Sequence, residues 1–173
     1  MKAEELRSRQ APLKQGYRES PASALIPARA ECTLDMQDIA CVVRSWRGET
    51  TAGLHTAAGG TGELACSADM LLEALVACAG VTLRAVATAM GVALRGGRVI
   101  AEGRWDARGT LGVDKTAPIG LTEIILTFEL NTDADPAKLA RLVETAERFC
   151  VIAETLKHPP RLAVTHRVVA SAS

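Results

Sequence analysis

The feature that most constrains this chain is a proline-free segment of small and apolar residues between Ser67 and Gly91. Ser67 is a favourable N-cap, Asp69 places a carboxylate in the first turn, and Gly91 is a natural residue to follow the last turn. These signals predict a helix of about 23 residues, or about 34 Å at 1.5 Å per residue. Apolar side chains occupy nearly its whole circumference, as in a helix that is buried on all sides. We therefore expect it to run through the middle of the protein.

The segments on either side of this helix carry the alternation of β-strands. Before it, apolar residues alternate over residues 29–36 and 39–43, and a third candidate strand covers Thr51–Thr56. Short turns between these strands predict an antiparallel meander. After the helix we expect strands at Val99–Arg108 and Leu121–Leu130, joined by a glycine-rich loop.

The C-terminal part predicts a second helix and a closing strand. Asp135 and Pro136 form an N-cap and first-turn pair, and the apolar stripe that follows ends near Phe149. We expect a short turn at residues 150–157 and a last strand at residues 162–169. Three strands, a long helix, two strands, a shorter helix and one strand together predict an α+β fold, with sheet covering buried helices.

Length and charge limit the domain organisation and the class of partner. The 173 residues suit one domain. Residues 1–28 are charged, contain three prolines and show no sustained period. A short helix around Ala3–Arg9 is one alternative, but we expect an extended N-terminal arm followed by a single domain at 29–173. Twenty basic residues balance twenty acidic ones and only 3% are aromatic. The chain thus lacks the positive charge and stacking platforms of a nucleic-acid-binding protein.

The sequence also argues against a membrane or exported protein. The most apolar stretch, residues 71–83, is interrupted by Glu73, is followed by Arg84, and is shorter than the roughly 20 residues that cross a bilayer. The N-terminus has no apolar run, so we predict no signal peptide. Five cysteines, an odd number at low density, favour a cytoplasmic protein with free or catalytic thiols rather than a disulfide framework.

Cysteines are the residues on which chemistry could rest, because the three histidines have no metal-ligand spacing and no C-x-x-C pair occurs. Cys32 and Cys41 lie on apolar strand faces, where a free cysteine is usually a core residue. Cys78 lies in the middle of the long helix near Gly80, and a glycine within a helix often marks a close approach or a pocket. Cys150 falls where the second helix ends and side chains become accessible.

Two segments resemble the cysteine signatures of the OsmC/Ohr superfamily of osmotically inducible and organic hydroperoxide resistance proteins. The first is residues 69–78, DMLLEALVAC, followed by Thr82-Leu83, and the second is residues 149–156, FCVIAETL. The resemblance covers about residues 29–169. It implies an OsmC-like fold, in which curved antiparallel sheets wrap around a long buried central helix in an intertwined homodimer with two sites at its interface.

The resemblance further implies thiol-dependent reduction of organic hydroperoxides. Cys78 matches the family's attacking thiol and Cys150 its resolving thiol, with an external dithiol, such as a lipoyl-type one, as reductant. No metal, haem or flavin is required. An arginine from the N-terminal strands, Arg44 or Arg47, would hold the Cys78 thiolate and would itself be held by Asp69, at the place of the family's helix-start carboxylate. The sequence does not choose between the two arginines.

Two departures from the family pattern leave other functions open. Val151 follows Cys150 where active peroxidases of the family have proline, and Asp69 is one methylene shorter than the usual glutamate. One alternative is a non-peroxidase dimer that binds an apolar ligand or senses redox state through its thiols. Another is a structural dimer in which both cysteines only fill space.

Overall fold

The chain forms an α+β fold in which one long helix separates two small sheets. The computed structural model describes residues 1–45 and 48–169. In chain order the elements are α1 (Ala3–Glu19), β1 (Glu31–Leu34), β2 (Ala40–Ser45), β3 (Gly48–Gly53), β4 (Ala65–Cys66), α2 (Ser67–Met90), β5 (Gly96–Trp105), α3 (Ala107–Thr110), β6 (Leu121–Asn131), α4 (Pro136–Phe149) and α5 (Val151–Lys157).

The first sheet has the strand order β1-β2-β3-β4. Its first three strands form the antiparallel meander predicted from the alternation, although β3 begins at Gly48 rather than Thr51. The two residues of β4 pair in parallel with the end of β3. A strand this short carries no periodic signal, and the sequence did not indicate it.

The second sheet is the antiparallel hairpin β5-β6, paired from Gly96↔Asn131 to Trp105↔Leu121. Both strands were predicted, with boundaries shifted by up to three residues. The connection between them contains α3, which Asp106 caps by accepting a hydrogen bond from the backbone of Arg108 at 2.9 Å. A Cβ on Gly109 would lie 2.4 Å from the carbonyl oxygen of Pro118, so only glycine fits there.

The predicted long helix is confirmed as α2, with 24 residues. Its N-cap is Cys66 rather than Ser67, and no side chain caps it. Gly91 ends the helix with φ +62°, the left-handed conformation that glycine adopts without strain.

The expectation that α2 is buried on all sides is wrong for the single chain. Its buried residues form one stripe, which packs against β5, α4 and α5: Leu75, Ala79, Leu83 and Ala87. On the opposite side Val81 is 73% exposed. The reason is geometric, because a two-stranded hairpin and two shorter helices cover only one side of a long cylinder.

By length and composition alone, α2 also meets the criteria of a membrane span, with a mean hydropathy of 1.8 over its most apolar 18 residues. The apolar region extends beyond residues 71–83, through small residues on both sides. Core helices of water-soluble proteins meet the same criteria, and the contacts of α2 with α4 and β5 are those of a core helix.

The main core lies between α2 and α4. Leu142 of α4 is 0% exposed and packs against Leu83 and Ala87 of α2 and against Val92. As predicted, α4 begins with Asp135 as N-cap and Pro136 at the first position. The Asp135 carboxylate accepts hydrogen bonds from two backbone N–H groups, at 2.9 and 3.2 Å, and so satisfies donors that the helix itself leaves unpaired.

The N-terminal arm is helical, so the expectation of an extended segment is wrong. Glu, Arg, Gln, Ala and Lys in residues 3–19 favour a helix, and Glu5 pairs with Arg9 one turn later at 2.7 Å. Pro12 removes one backbone hydrogen bond without ending α1. None of the residues of α1 is buried.

The C-terminal region differs from expectation in two places. The turn expected at 150–157 is helix α5, favoured by Ala153, Leu156 and Lys157. The strand expected at 162–169 has no regular secondary structure and pairs with no strand among the described residues. Its apolar side chains are exposed, with Leu162 and Val164 both at 86%. Alternation predicts an extended conformation, but a strand also needs a neighbouring edge.

Candidate two-thiol site

The side chains of Cys78 and Cys150 pack in one cluster and influence each other's pKa, although the two residues are far apart in the sequence. Cys78 lies in the middle of α2 and is half-buried. Cys150 is 0% exposed and is the one residue between α4 and α5. The fold therefore forms a two-thiol site where three helices meet.

Apolar packing on α2 places these sulfurs. Leu75 and Ala79, on the buried stripe of α2, form one cluster with Cys150 and Ala153. Cys78 lies next to that stripe, at the edge of the cluster, so its side chain reaches Cys150 while remaining partly accessible. The opposite side of the cluster is closed by the β5-β6 hairpin through Val99, Ala101, Ile124, Leu126 and Phe128.

The surroundings of Cys78 favour its thiolate. Partial burial by itself raises the pKa of Cys78, but hydrogen bonds from the backbone of Ile152 and Val151, together with those of the Cys150 thiol and the Thr82 hydroxyl, lower it below its ordinary value. Donors aimed at a sulfur stabilise its charged form. The backbone donors are the first N–H groups of α5, which have no partner within their own helix.

Cys150 has the opposite tendency. Burial raises the pKa of Cys150, and the adjacent Cys78 sulfur raises it further. The sequence placed Cys150 at a helix C-terminus, which disfavours an anion. In the structure it is also the N-cap of α5, and burial is the larger cause of the raised pKa. Of the two thiols, Cys78 is therefore the one that loses its proton first as the pH rises.

This difference predicts that Cys78 reacts with iodoacetamide at lower pH than an ordinary thiol. A lowered pKa keeps the thiolate present until the pH falls through that lowered value, so the pH midpoint of the alkylation rate should lie below that of the same residue in the urea-unfolded chain. Mass spectrometry measures the rate on tryptic peptide 48–84, whose fragment ions distinguish alkylation of Cys78 from that of Cys66. Equal midpoints in the two states would contradict the proposed stabilisation.

Two other predicted site residues, Arg44 and Asp69, are not at the thiols in the single chain. Arg44 is exposed on β2 and its Nε lies 3.0 Å from Oε1 of Glu49. Asp69 is exposed in the first turn of α2, about 13 Å along the helix axis from Cys78. Arg47 lies outside the described residues. Among residues 1–45 and 48–169, no cation contributes to the lowered pKa of Cys78.

Sequence reasoning missed the groups that do contact Cys78. Thr82 lies one turn after it and stands in the recognised signature, so its spacing could have indicated a contact. The N–H groups of Val151 and Ile152 left no such signal, because residues 150–157 were predicted as a turn. Within the described parts of the chain, no group of three His, Cys, Asp or Glu side chains is placed to hold a metal ion.

Two cavities lie near the ends of this site. One, of about 420 Å³, is lined by Cys150 and Val151 together with Arg148, Phe149 and His158. The other, of about 620 Å³, is mainly apolar and includes Leu71, Trp105 and Ile124. Ile124 also belongs to the thiol cluster, so an apolar surface extends from the sulfurs toward this cavity.

A profile of the OsmC-like protein family matches residues 60–165, which contain both thiols and the elements from β4 to α5. This chain belongs to the OsmC-like family. The resemblance and the OsmC-like fold predicted from the cysteine signatures are thereby confirmed. No functionally curated protein matches the chain.

Solved structures share the OsmC-like fold at low identity. An OsmC-like protein from Mycoplasma pneumoniae has a TM-score of 0.64 and 16% identity over 78% of this chain and 90% of its own. An organic hydroperoxide resistance protein from Elizabethkingia anophelis has a TM-score of 0.62 and 16% identity, over 78% and 92%. The organic hydroperoxide resistance protein OhrB of Bacillus subtilis has a TM-score of 0.51 and 20% identity, over 78% and 93%.

Proposed function

We propose that this OsmC-like chain reduces organic hydroperoxides, with Cys78 as the attacking thiol and Cys150 as the resolving thiol. The observation that carries the proposal is the packing of the two cysteine side chains in one cluster, together with the opposite displacement of their pKa values. Attack needs a thiolate, which the lowered pKa of Cys78 favours, and resolution needs a second thiol within reach.

The chemistry balances with an external dithiol as the only further reactant. The Cys78 thiolate attacks the distal oxygen of ROOH, the O–O bond breaks, and after protonation the products are ROH and a sulfenic acid on Cys78. The Cys150 thiol then displaces water from that sulfenic acid and forms a disulfide. A lipoyl-type dithiol then reduces the protein disulfide in two thiol–disulfide exchange steps. This restores both cysteine thiols and leaves the dithiol as its own disulfide.

Two observations support an organic rather than an inorganic peroxide. The cluster around the thiols is aliphatic, and it continues through Ile124 into an apolar cavity of about 620 Å³. Such a surface binds the alkyl part of ROOH and gains nothing from H₂O₂. The Elizabethkingia anophelis and Bacillus subtilis proteins are named for organic hydroperoxide resistance.

We include in this proposal a homodimer in which a second copy covers the exposed side of α2. A groove of about 690 Å³ runs along that side and includes Val76, Gly80 and Val81. The unpaired chain at residues 162–169 and the open edges of both sheets offer backbone groups for strand pairing between copies. In such a dimer, Arg44 or Arg47 would hold the Cys78 thiolate, with Asp69 holding the arginine.

Substituting Val81 tests this interface. We expect Val81→Arg to reduce the dimer fraction at least about tenfold, because it places a charge in the centre of an apolar contact. The matched control is Val113→Arg, since Val113 is 75% exposed against 73% for Val81 but lies on the loop after α3. Sedimentation velocity measures both variants. Equal dimer fractions would place the interface elsewhere.

The activity itself is tested with t-butyl hydroperoxide and dihydrolipoamide. We expect many equivalents of peroxide to be consumed per chain and slower consumption of H₂O₂. A sensor would consume one equivalent and stop even with dithiol present. Thiols that only pack would consume none and would resist alkylation. Either of the last two outcomes overturns the peroxidase proposal.

The cytoplasmic location stays a prediction, which localisation of the protein in cells would test.

A further inference from the structure

The β1-β2 hairpin contains a second pair of thiols that the proposed reaction does not use. Cys32 faces Val43, and Cys41 faces Leu34. Since side chains two residues apart on one strand lie on the same face, Cys32 and Cys41 share a face at diagonal positions. Cys32 is exposed and Cys41 is half-buried.

The backbone pairing of β1 with β2 brings Cys32 and Cys41 close together. The N–H of Asp35 donates to the carbonyl of Ala40 at 3.0 Å, so in this register Cys32 and Cys41 both fall at non-hydrogen-bonded positions, where facing side chains approach most closely. An interaction with the Cys32 thiol, followed by burial, raises the pKa of Cys41. Cys41 therefore keeps its proton while Cys32 is open to reagents.

We propose that Cys32 and Cys41 form a second redox site, which low-molecular-weight disulfides oxidise to an intrachain disulfide. The Cys32 thiolate attacks one sulfur of RSSR and releases RS⁻, giving a mixed disulfide. Cys41 then loses its proton and attacks the Cys32 sulfur, releasing the second RS⁻. Two electrons pass from the pair to RSSR, and both R groups leave as thiols.

The hairpin can accommodate this bond. Diagonal neighbours have Cα atoms about 7–8 Å apart, and a disulfide spans about 4.4–6.8 Å. Closure thus needs a movement of roughly 1 Å. Among the described residues, β1 is a four-residue edge strand that is exposed throughout and pairs with β2 alone, and neither core cluster includes its residues, so a shift of β1 leaves both clusters in place.

The site is separate from the Cys78–Cys150 site in sequence and in chemistry. It lies before the residues matched by the OsmC-like profile, which begin at residue 60. Its oxidant is a disulfide, whereas the proposed peroxidase uses a hydroperoxide. Trypsin also separates the two sites, because residues 30–44 form one peptide, while Cys78 and Cys150 fall in peptides 48–84 and 149–157.

The test treats the folded wild-type chain with oxidised glutathione, quenches with acid, alkylates remaining thiols and maps peptides. Both cysteines of interest lie in peptide 30–44, so a second cleavage at Met36 is needed to separate them. After cleavage at Met36, we expect the two halves of peptide 30–44 to stay joined by the Cys32–Cys41 disulfide until a reductant is added. In Cys41→Ser we expect glutathione to remain on Cys32, and in the control Cys66→Ser we expect the Cys32–Cys41 link to form as in wild type.

Three results would overturn the proposal. Glutathione could persist on Cys32 in the wild-type chain, Cys32 could link two chains on a non-reducing gel, or Cys41 could be found joined to Cys66. The Cys78–Cys150 link joins peptides 48–84 and 149–157, and fragment ions of peptide 48–84 distinguish that link from a bond at Cys66. Failure of the peroxidase proposal would leave this site untouched.

Discussion

Cys78→Ser is expected to abolish hydroperoxide turnover, with a loss of at least roughly 1000-fold, because removing the nucleophile removes the whole reaction path. The assay is consumption of t-butyl hydroperoxide with dihydrolipoamide in excess. The matched control is Cys41→Ser, since Cys41 is another half-buried cysteine and lies on β2, outside the cluster around Cys78 and Cys150. Comparable loss in both variants would show that the effect is not specific to Cys78.

Cys150→Ser separates attack from resolution. Because Cys78 still attacks, we expect one rapid equivalent of peroxide consumption followed by arrest, with sulfenic acid trapped on Cys78. Dimedone labels that species, and the label should appear in peptide 48–84. Continued turnover without label would assign the resolving role to another thiol or to the external dithiol.

Leu142→Ala is expected to cost about 2–5 kcal/mol of unfolding free energy, a large part of what holds a domain of this size together. Leu142 is 0% exposed and joins α4 to the buried stripe of α2, so truncation leaves a cavity in the main core. Urea unfolding at fixed protein concentration measures the change, which should appear in the midpoint rather than the slope.

The control for this stability measurement is Leu111→Ala. Leu111 is 55% exposed at the end of α3, and exposed substitutions of this kind usually change stability by less than about 0.5 kcal/mol. If the two alanine variants unfolded at the same urea concentration, the packing of α4 on α2 described above would be wrong.

Local signals in the sequence were sufficient to predict the elements whose first or last residues are marked by capping residues. Asp135 and Pro136 fix the beginning of α4, and Gly91 fixes the end of α2, because capping depends on neighbouring residues alone. The strands of the meander and of the β5-β6 hairpin follow from alternation. Their boundaries shifted by a few residues because pairing extends to whichever residues have an opposite partner.

Elements that depend on tertiary contacts were predicted less well. Residues 162–169 alternate like a strand but find no partner edge among the described residues, and α2 is apolar on a side that the single chain leaves open. At the site, the signatures located Cys78 and Cys150. They gave no sign that α5 supplies its first N–H groups to Cys78, because that donation depends on where two helices meet.

Cys150 joins α4 to α5 without any intervening loop, and this gives the site a mechanical consequence. Its N–H donates to Glu147 at 3.1 Å, and its carbonyl accepts from Glu154 at 2.9 Å, so one residue belongs to the hydrogen bonding of both helices. Leu142 fixes α4 in the core. A displacement of the Cys150 sulfur on disulfide formation is therefore expected to move the seven residues of α5 rather than α4. Amide hydrogen exchange along α5 should therefore be faster in the oxidised protein and slower again after reduction, so its rate reports the redox state of Cys78 and Cys150.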